Sequence, residues 1–344
     1  YYTSPSTSNI IGAAYSVIPS AGSTLNPSAF SKEISTTFSL ISANFIIESK
    51  PIVSTTLKGN SGTWALSDTS LYQKSRYSSS VVYSTPGVYS WVCPENVYSV
   101  CAVAVGAGGA GGSGYRLSVS GGGGGGLGWK NHIPVIPGNT YEVIVGAAIP
   151  RTATGGTVPT IPFSSGSSSF EDEVIGFGGT GPSTLFVVSA YGGPYIGQGG
   201  GSGGNGGATS GTNYSSGAGG AGGYSGSGGN GGGTGSSGSA GTGGGGGGGA
   251  SSSYYEGSGG SGGAVGLFGE GSSGAGGVGG GTAGSPGSNG TVSTSAVGGS
   301  YGAGASSHIN YNSSTYPVSV GGGGGVRLVW GYDRYFPLNK VSYT

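Results

Sequence analysis

Apolar positions cluster at a few places along this chain, and their spacing predicts strands. Residues 88–93 (VYSWVC) alternate in part, residues 97–105 (VYSVCAVAV) are apolar almost throughout, and Pro94, Glu95 and Asn96 between them predict a hairpin. Shorter runs at 143–145, 174–177, 185–191 and 326–330 carry further apolar residues that need burial. Two of these share a pattern, since Ser169-Phe170 leads to Phe177-Gly178-Gly179 and Leu185-Phe186 leads to Tyr191-Gly192-Gly193. Near the start, residues 34–47 (ISTTFSLISANFII) have strand-like composition. Yet Phe30, Ile34, Phe38, Ile41 and Phe45 recur at helical spacing behind Asn26-Pro27, a fitting N-cap and first helical residue. Both readings of that segment stay open.

From Gly106 onward the pattern changes. Non-glycine residues recur every third position: Ala107, Ala110, Ser113; then Ser202, Asn205, Ala208; then Ala218, Ala221, Tyr224, Ser227, Asn230; then Ser258, Ser261, Ala264, Leu267. A period of two would give a strand and 3.6 an α-helix, whereas three residues per turn is the geometry of the polyproline II helix, which glycine also populates. With glycine on two of three edges, such helices can lie backbone to backbone, joined by main-chain hydrogen bonds. A run of about nine residues spans roughly 28 Å at ~3.1 Å per residue. The bulkier patches at 209–216, 250–256, 267–273 and 282–295 are therefore expected as turns of a bundle. A disordered Gly/Ser linker is the rival reading of the composition, and the threefold spacing between flanking strands argues against it.

The fold expected is mainly β: an N-terminal β-rich or mixed attachment module (1–85), a glycine-rich domain with a β framework and packed polyglycine II helices (86–337), and a short C-terminal tail (338–344). Glycine supplies 86 of 344 residues, and charged residues only 6%, with 11 basic against 11 acidic. That balance gives no electrostatic footprint for nucleic acid. No run approaches the ~18 apolar residues of a membrane-spanning helix. The 16 prolines fall mostly outside the glycine runs, which excludes collagen. The chain starts at Tyr1 and holds no Met, as expected of a processed or truncated chain. Cys93 and Cys101 are too few for a disulfide framework, and the hairpin register sets Cys93 opposite Val97, so both are expected as buried free thiols.

Candidate chemistry is sparse. The GxGxxG strings follow from composition and none bridges a strand and a helix, and a GK[ST] triplet is missing, so no dinucleotide or P-loop site is expected. Lys130 is expected at the surface beside an Asn131-His132 turn. Glu171, Asp172 and Glu173 are three consecutive acids that would point apart on any regular element, which suits a solvated turn better than a metal site. His132 and His308 lack partners at ligand spacing. No catalytic residues, metal or cofactor are expected, and the protein is read as a non-enzyme. The 22 Tyr outnumber 9 Phe and 4 Trp, and several stand in the interruptions between glycine runs. Tyrosine offers an apolar face and a hydroxyl at low entropic cost, which suits recognition by loops on a rigid scaffold. The candidate receptor-binding residues are Asn213, Tyr214, Tyr254, Tyr255, Glu256, Phe268, Glu270, Tyr301, His308, Tyr311 and Asn312.

Three blocks, SWVCPENVYSVCAVAVGAGGAGG from Ser90, GLGWKNHIPVIPGNTYEVIVG over 126–146 and GGGGGVRLVWGYDRYFP from Gly321, resemble the glycine-rich tail-fibre and virion structural proteins of bacteriophages, especially phages of cyanobacteria. The distal adhesins of T-even-like phage fibres are similar in principle. The resemblance implies a β framework from which packed polyglycine II helices extend, with receptor-binding loops at one end. It also implies partners: a host-cell surface receptor or glycan, other virion or fibre subunits, and further copies of the chain in a homo-oligomer, in the virion or outside the cell. A self-assembling filament subunit is the alternative, and an ice-binding bundle a third reading disfavoured by the mixed Ser, Ala, Asn and Tyr at outward positions. Residues 1–84 have no equivalent in the resemblance.

Overall fold

A strand with apolar residues at nearly every position must be covered on both faces, and residues 99–105 accordingly lie at the centre of the fold. The computed structural model describes residues 24–25, 64–65, 78–114, 118–151, 166–182, 190–210, 214–252, 257–294, 297–309, 318–331 and 334–337. The chain divides into two units, Tyr1–Arg76 and Tyr77–Thr344. In the first, β1 (Thr24–Leu25) and β2 (Trp64–Ala65) form an antiparallel pair. The 34–47 segment, the 185–186 half of the internal repeat and the 338–344 tail lie outside the described residues.

The second unit carries β3 (Ser79–Tyr83), β4 (Gly87–Val92), β5 (Ser99–Val105), β6 (Ser113–Gly114), β7 (Leu127–Pro134), β8 (Thr140–Val145), β9 (Ser168–Phe170), β10 (Val174–Gly176), β11 (Tyr195–Ile196), β12 (Gly199–Gly201), β13 (His308–Ile309) and β14 (Gly325–Trp330). A central sheet runs in the order β12-β7-β5-β14-β3 and an outer sheet in the order β11-β10-β9-β8-β4. Both are antiparallel throughout. The fold is mainly β, with no α-helix among the described residues. Residues 325–329 of β14 pair with 101–105 of β5 and close the sheet.

The hairpin expected of residues 88–93 and 97–105 does not form. β4 lies in the outer sheet and β5 in the central one, so the chain changes layer at the turn around Asn96 (φ 64°). Burial of β5 on both faces explains the difference, because a hairpin alone would leave one face wet. Val100, Ala102 and Ala104 join Trp91, Val143, Phe170 and Val174 in a core between the sheets. Cys101, Val103 and Val105 face the other way, into a second core with Leu127, Ala221, Tyr224, Leu267 and Phe336. Cys93 and Cys101 are buried free thiols, one in each core.

The glycine runs leave the central sheet as a lattice of threefold helices. In residues 121–126, Gly122 and Gly125 both donate to the 302–305 run, at Ala305 and Gly302, while Gly123 and Gly126 both donate to the 177–180 run, at Thr180 and Phe177. Residues three apart thus meet the same neighbour, the signature of three residues per turn. Gly124 donates to Gly204, and the carbonyls of Gly123, Gly124 and Gly122 accept from Gly109, Gly193 and Gly219, which makes six surrounding runs. Residues 217–222 are enclosed in the same way by the runs containing Gly122, Gly204, Gly229, Gly246, Gly260 and Gly304. This hexagonal packing demands glycine: a Cβ built at Gly124 would fall on the carbonyl oxygen of Gly220, and one at Gly220 on that of Gly246. Buried alanines such as Ala107, Ala218, Ala221 and Ala303 place methyl groups within it.

On the lattice's exposed face an outward N–H has no neighbouring carbonyl, and side chains take over. Gly192 donates to Asn205 Oδ1 (2.9 Å), Asn205 N to Asn230 Oδ1 (2.8 Å) and Asn230 N to Ser239 Oγ (2.9 Å). The ladder gives the outward Asn and Ser positions a structural reason.

Turns were expected only at the bulky patches. The structure also turns at Thr234-Gly235, Thr242–244 and 279–281, where glycines take positive φ (68° at Gly235, 77° at Gly244). The threefold spacing around Tyr224, which carries Ser225 as an insertion, is interrupted by a turn in which Gly223 N donates to Gly226 O.

Candidate binding site at the tip of the lattice

The lattice has two ends. Residues 106–112 leave β5 and residues 121–126 return into β7, so Gly106 and Gly126 mark the framework end, and Gly112 and Ser120, bonded at 2.8 Å, mark the tip. Register carries this polarity across the bundle, since Gly219 bonds Gly122 and Gly222 bonds Gly125, placing residue 217 at the tip and residue 222 at the framework. Connections at 223–226, 242–245, 265–271 and 300–302 therefore fall at the framework end, and residues 208–210, 214–216, 251–252, 257–258, 307–309 and 318–319 at the tip.

This division separates the candidate residues. Tyr214 lies at the tip, half-buried, its carbonyl accepting from Val119 N (3.0 Å) and its N–H directed to Ser118 Oγ. His308 lies there too, not in a loop but in β13, paired parallel to Ser113 of β6, with its Nδ1 hydrogen-bonded to Ser258 Oγ. Ser215 Oγ donates to Gly257 O (2.7 Å) and so ties the Tyr214 segment to the Ser258 segment. Asn213, Tyr254, Tyr255, Glu256, Tyr311 and Asn312 lie outside the described residues, in stretches flanked by tip residues.

Phe268, Glu270 and Tyr301 are at the opposite end, packed on the framework. Arg327 sits over the Phe268 ring at 4.4 Å in a cation–π contact. Glu270 accepts from Ser225 Oγ (2.8 Å), and its N–H donates to Pro337 O. Tyr301 packs against the second core, where burial pushes its phenol pKa up and a hydrogen bond with Ser84 opposes that. Phe268 and Tyr301 hold their turns onto the central sheet, Glu270 ties the 223–226 and 265–271 turns together, and none of the three is brought to Tyr214 and His308.

Serines finish the lattice at the tip. Ser216 Oγ accepts from Gly121 N (3.1 Å) and donates to Gly207 O (2.6 Å); Ser319 Oγ accepts from Gly111 N (2.8 Å) and donates to Ser306 O (3.0 Å); Ser307 Oγ donates to Ser216 O (2.7 Å). Arg151 is buried beside them, with its guanidinium on Pro182 O (2.7 Å), and burial lowers its pKa. The hydroxyls of Ser113 and Thr209 are buried without a hydrogen-bond partner among the described residues. Sequence reasoning missed this layer, although its signal is present: serine pairs at 215–216, 251–252 and 306–307 interrupt the glycine runs at their tip ends.

Elsewhere the acidic triplet forms the turn between β9 and β10, as expected, and Lys130 pairs with Glu173 in a partly exposed ion pair. Lys130, Asn131 and His132 belong to β7 rather than to a turn. Among the described residues no group of three or more His, Cys, Asp or Glu is placed to hold a metal ion.

One pH response arises at the tip. Burial lowers the pKa of His308, so its neutral form is favoured in the fold. A lowered folded-state pKa contributes stability that is present above the unfolded value, about 6.5, and lost as the pH falls below it. The protection factors of the His308 and Ile309 amides, taken against the base-catalysed intrinsic rate, are expected to fall between pH 7 and 5, and His308→Gln to lack that fall. Equal pH dependence in both proteins would refute it.

A family model described as a glycine-rich domain matches residues 84–269. No curated protein matches the chain. The matched region takes in the outer sheet and most of the lattice, and the closing strand β14 lies beyond it.

Proposed function

This chain belongs to the glycine-rich domain family, whose model spans more than half of it, and we propose that it is a receptor-binding fibre or adhesin protein of a bacteriophage virion, engaging the host surface through the tip of its glycine lattice. One observation carries this reading. The connections that hold Asn213, Tyr214, Tyr254, Tyr255, Glu256, Tyr311 and Asn312 all leave and re-enter the lattice at the tip, opposite the end of the framework where Ser79 of β3 pairs with Trp330. A rigid bundle with hydroxyl, amide and aromatic groups on its end suits a neutral, hydroxyl-rich ligand such as a bacterial surface glycan, bound by hydrogen bonds and ring stacking. Phe268, Glu270 and Tyr301 drop out of the binding set, since they hold the lattice to the sheet. The first unit, residues 1–76, would attach the domain to the rest of the particle, while residues 79–83, expected within that module, belong to the central sheet.

The test uses fluorescently labelled full chain on intact cells of a bacterial panel that includes cyanobacteria, and on their purified lipopolysaccharide. Replacing Tyr214, Tyr254, Tyr255 and Tyr311 together with Ala is expected to weaken binding at least ~10-fold, with Phe268→Ala binding like the parent. Binding unchanged in the fourfold variant would refute the tip assignment. Long polymers that bind no cells would favour the filament subunit instead.

A further inference from the structure

The outer sheet ends in β4, whose only strand partner among the described residues is β8. No other described backbone group bonds to residues 87–92, so among the described residues the far edge of the strand is uncovered. Free edges are normally guarded by lysine, proline, a bulge or an inward-pointing charge. Here none of these is present: the register with β8 runs unbroken from Gly87 to Val92, the strand has no charged residue, and Pro86 and Pro94 stand just outside it. Its outer face is apolar as well as bare, with Val88 67% and Val92 58% exposed, while Trp91 anchors the inner face in the core.

The sequence of this edge has a symmetry that narrows what can pair with it. Residues 88–92, Val-Tyr-Ser-Trp-Val, read as Val, aromatic, Ser, aromatic, Val in either direction. A two-fold interface needs a self-complementary patch, in which residue i meets j and j meets i. We propose that β4 pairs antiparallel with β4 of a second copy of this chain, about a two-fold axis at Ser90, joining two outer sheets into one continuous sheet. In that register Ser90 faces the second copy's Ser90, Val88 faces its Val92, and Tyr89 faces its Trp91. β-Branched residues thus meet β-branched and aromatic residues meet aromatic, the pairings that favour cross-strand contact. No like charges are brought together, and the chain's formal net charge of zero adds no long-range repulsion. Beside this edge lies β3, the edge strand of the central sheet among the described residues, with the Tyr83 and Tyr89 rings 5.0 Å apart, so the second copy would meet both layers of the sandwich. A closed dimer of this kind would also present two lattice tips.

Cysteine cross-linking on the full chain tests the register. Cys93 and Cys101 are buried, so new thiols on the edge report alone. Under mild oxidation Ser90→Cys is expected to give a covalent dimer, Val88→Cys and Val92→Cys none by themselves, and a mixture of the last two a covalent heterodimer. Sedimentation equilibrium of the unmodified chain should show a dimer. Ser90→Lys, which sets two ammonium groups against each other on the axis, should weaken association by about 100-fold. Failure of Ser90→Cys to cross-link, equal cross-linking at all three positions, open-ended polymers, or undiminished association of Ser90→Lys would each overturn the proposal.

Discussion

Gly124→Ala is expected to lower stability by at least ~3 kcal/mol, and Gly323→Ala, one lattice run away from the same sheet, to leave it unchanged or raise it slightly. The added methyl at Gly124 meets the Gly220 carbonyl group head-on, and a main-chain oxygen held in a lattice cannot rotate away as a side chain would. Relief requires the 217–222 run to shift. That shift breaks bonds on both sides: Gly219 N to Gly122 O and Gly220 N to Gly229 O, each 2.9 Å. Overpacking in a rigid interior typically costs 1–3 kcal/mol, and unpaired buried main-chain groups add about 1–3 kcal/mol each. Domains of this size are stable by only about 5–15 kcal/mol, so Gly124→Ala should lower the melting temperature by roughly 10 °C or prevent folding. At Gly323 nothing lies within 4 Å of an added Cβ. There the methyl mainly restricts the unfolded chain, a gain of up to ~1 kcal/mol. Chemical denaturation of the two variants decides the matter, because equal effects would mean that the glycines serve chain flexibility rather than contact.

How far the sequence discloses this fold depends on which property of glycine is in use. Where glycine packs, the residues that are not glycine mark the period, and Ala107, Ala110, Ser202, Asn205, Ala218 and Ala221 suffice to predict a threefold helix. Where glycine turns, nothing marks it: Gly235, Gly244 and Gly279 sit in the same low-complexity text as the runs, and only their positive φ separates them. The turns that carry bulky residues, such as Leu267-Phe268, were legible for a different reason from the one their composition suggests. Val265 and Leu267 pack in the second core against the central sheet, and the half-exposed Phe268 ring lies against Arg327 of β14, a tertiary demand that local spacing does not express. The layer change between β4 and β5 was hidden in the same way, since a Pro-Glu-Asn turn is compatible with a hairpin and with a crossing between sheets. For the candidate site, sequence identified aromatic and amide residues in the interruptions but could not sort them. Alternate connections of an up-and-down bundle fall at opposite ends, so Tyr214 and Phe268 part company once the runs between them are counted.

Tyr224 shows most clearly that a residue in the threefold register can serve the framework instead of the lattice. It is fully buried, its ring stacks on Phe336 with centroids 5.9 Å apart, its hydroxyl donates to Gly266 O and accepts from Gly269 N at 3.0 Å each, and its carbonyl accepts from Trp129 Nε1 at 2.7 Å. Tyr224→Ala should remove about 3–5 kcal/mol. Tyr224→Phe is the more informative change. At neutral pH it leaves Gly266 O and Gly269 N unpaired and should cost about 1–3 kcal/mol. At alkaline pH the comparison reverses its trend. Burial pushes the Tyr224 phenol up from its usual value near 10, against the Gly269 hydrogen bond and the charge of Arg327, which favour the phenolate. A raised folded-state pKa means stability that is complete below pH ~10 and lost above it, at up to about 1.4 kcal/mol per pH unit, because the unfolded chain releases the proton and the folded one does not. Tyr83 and Tyr301, also raised by burial, add to the same slope in both proteins. Denaturant titrations between pH 8 and 11 should therefore show the gap between the parent and Tyr224→Phe narrowing as the pH rises past 10. A gap constant over that range would mean that Tyr224 ionises in the folded state as readily as in the unfolded one, and that the second core admits water.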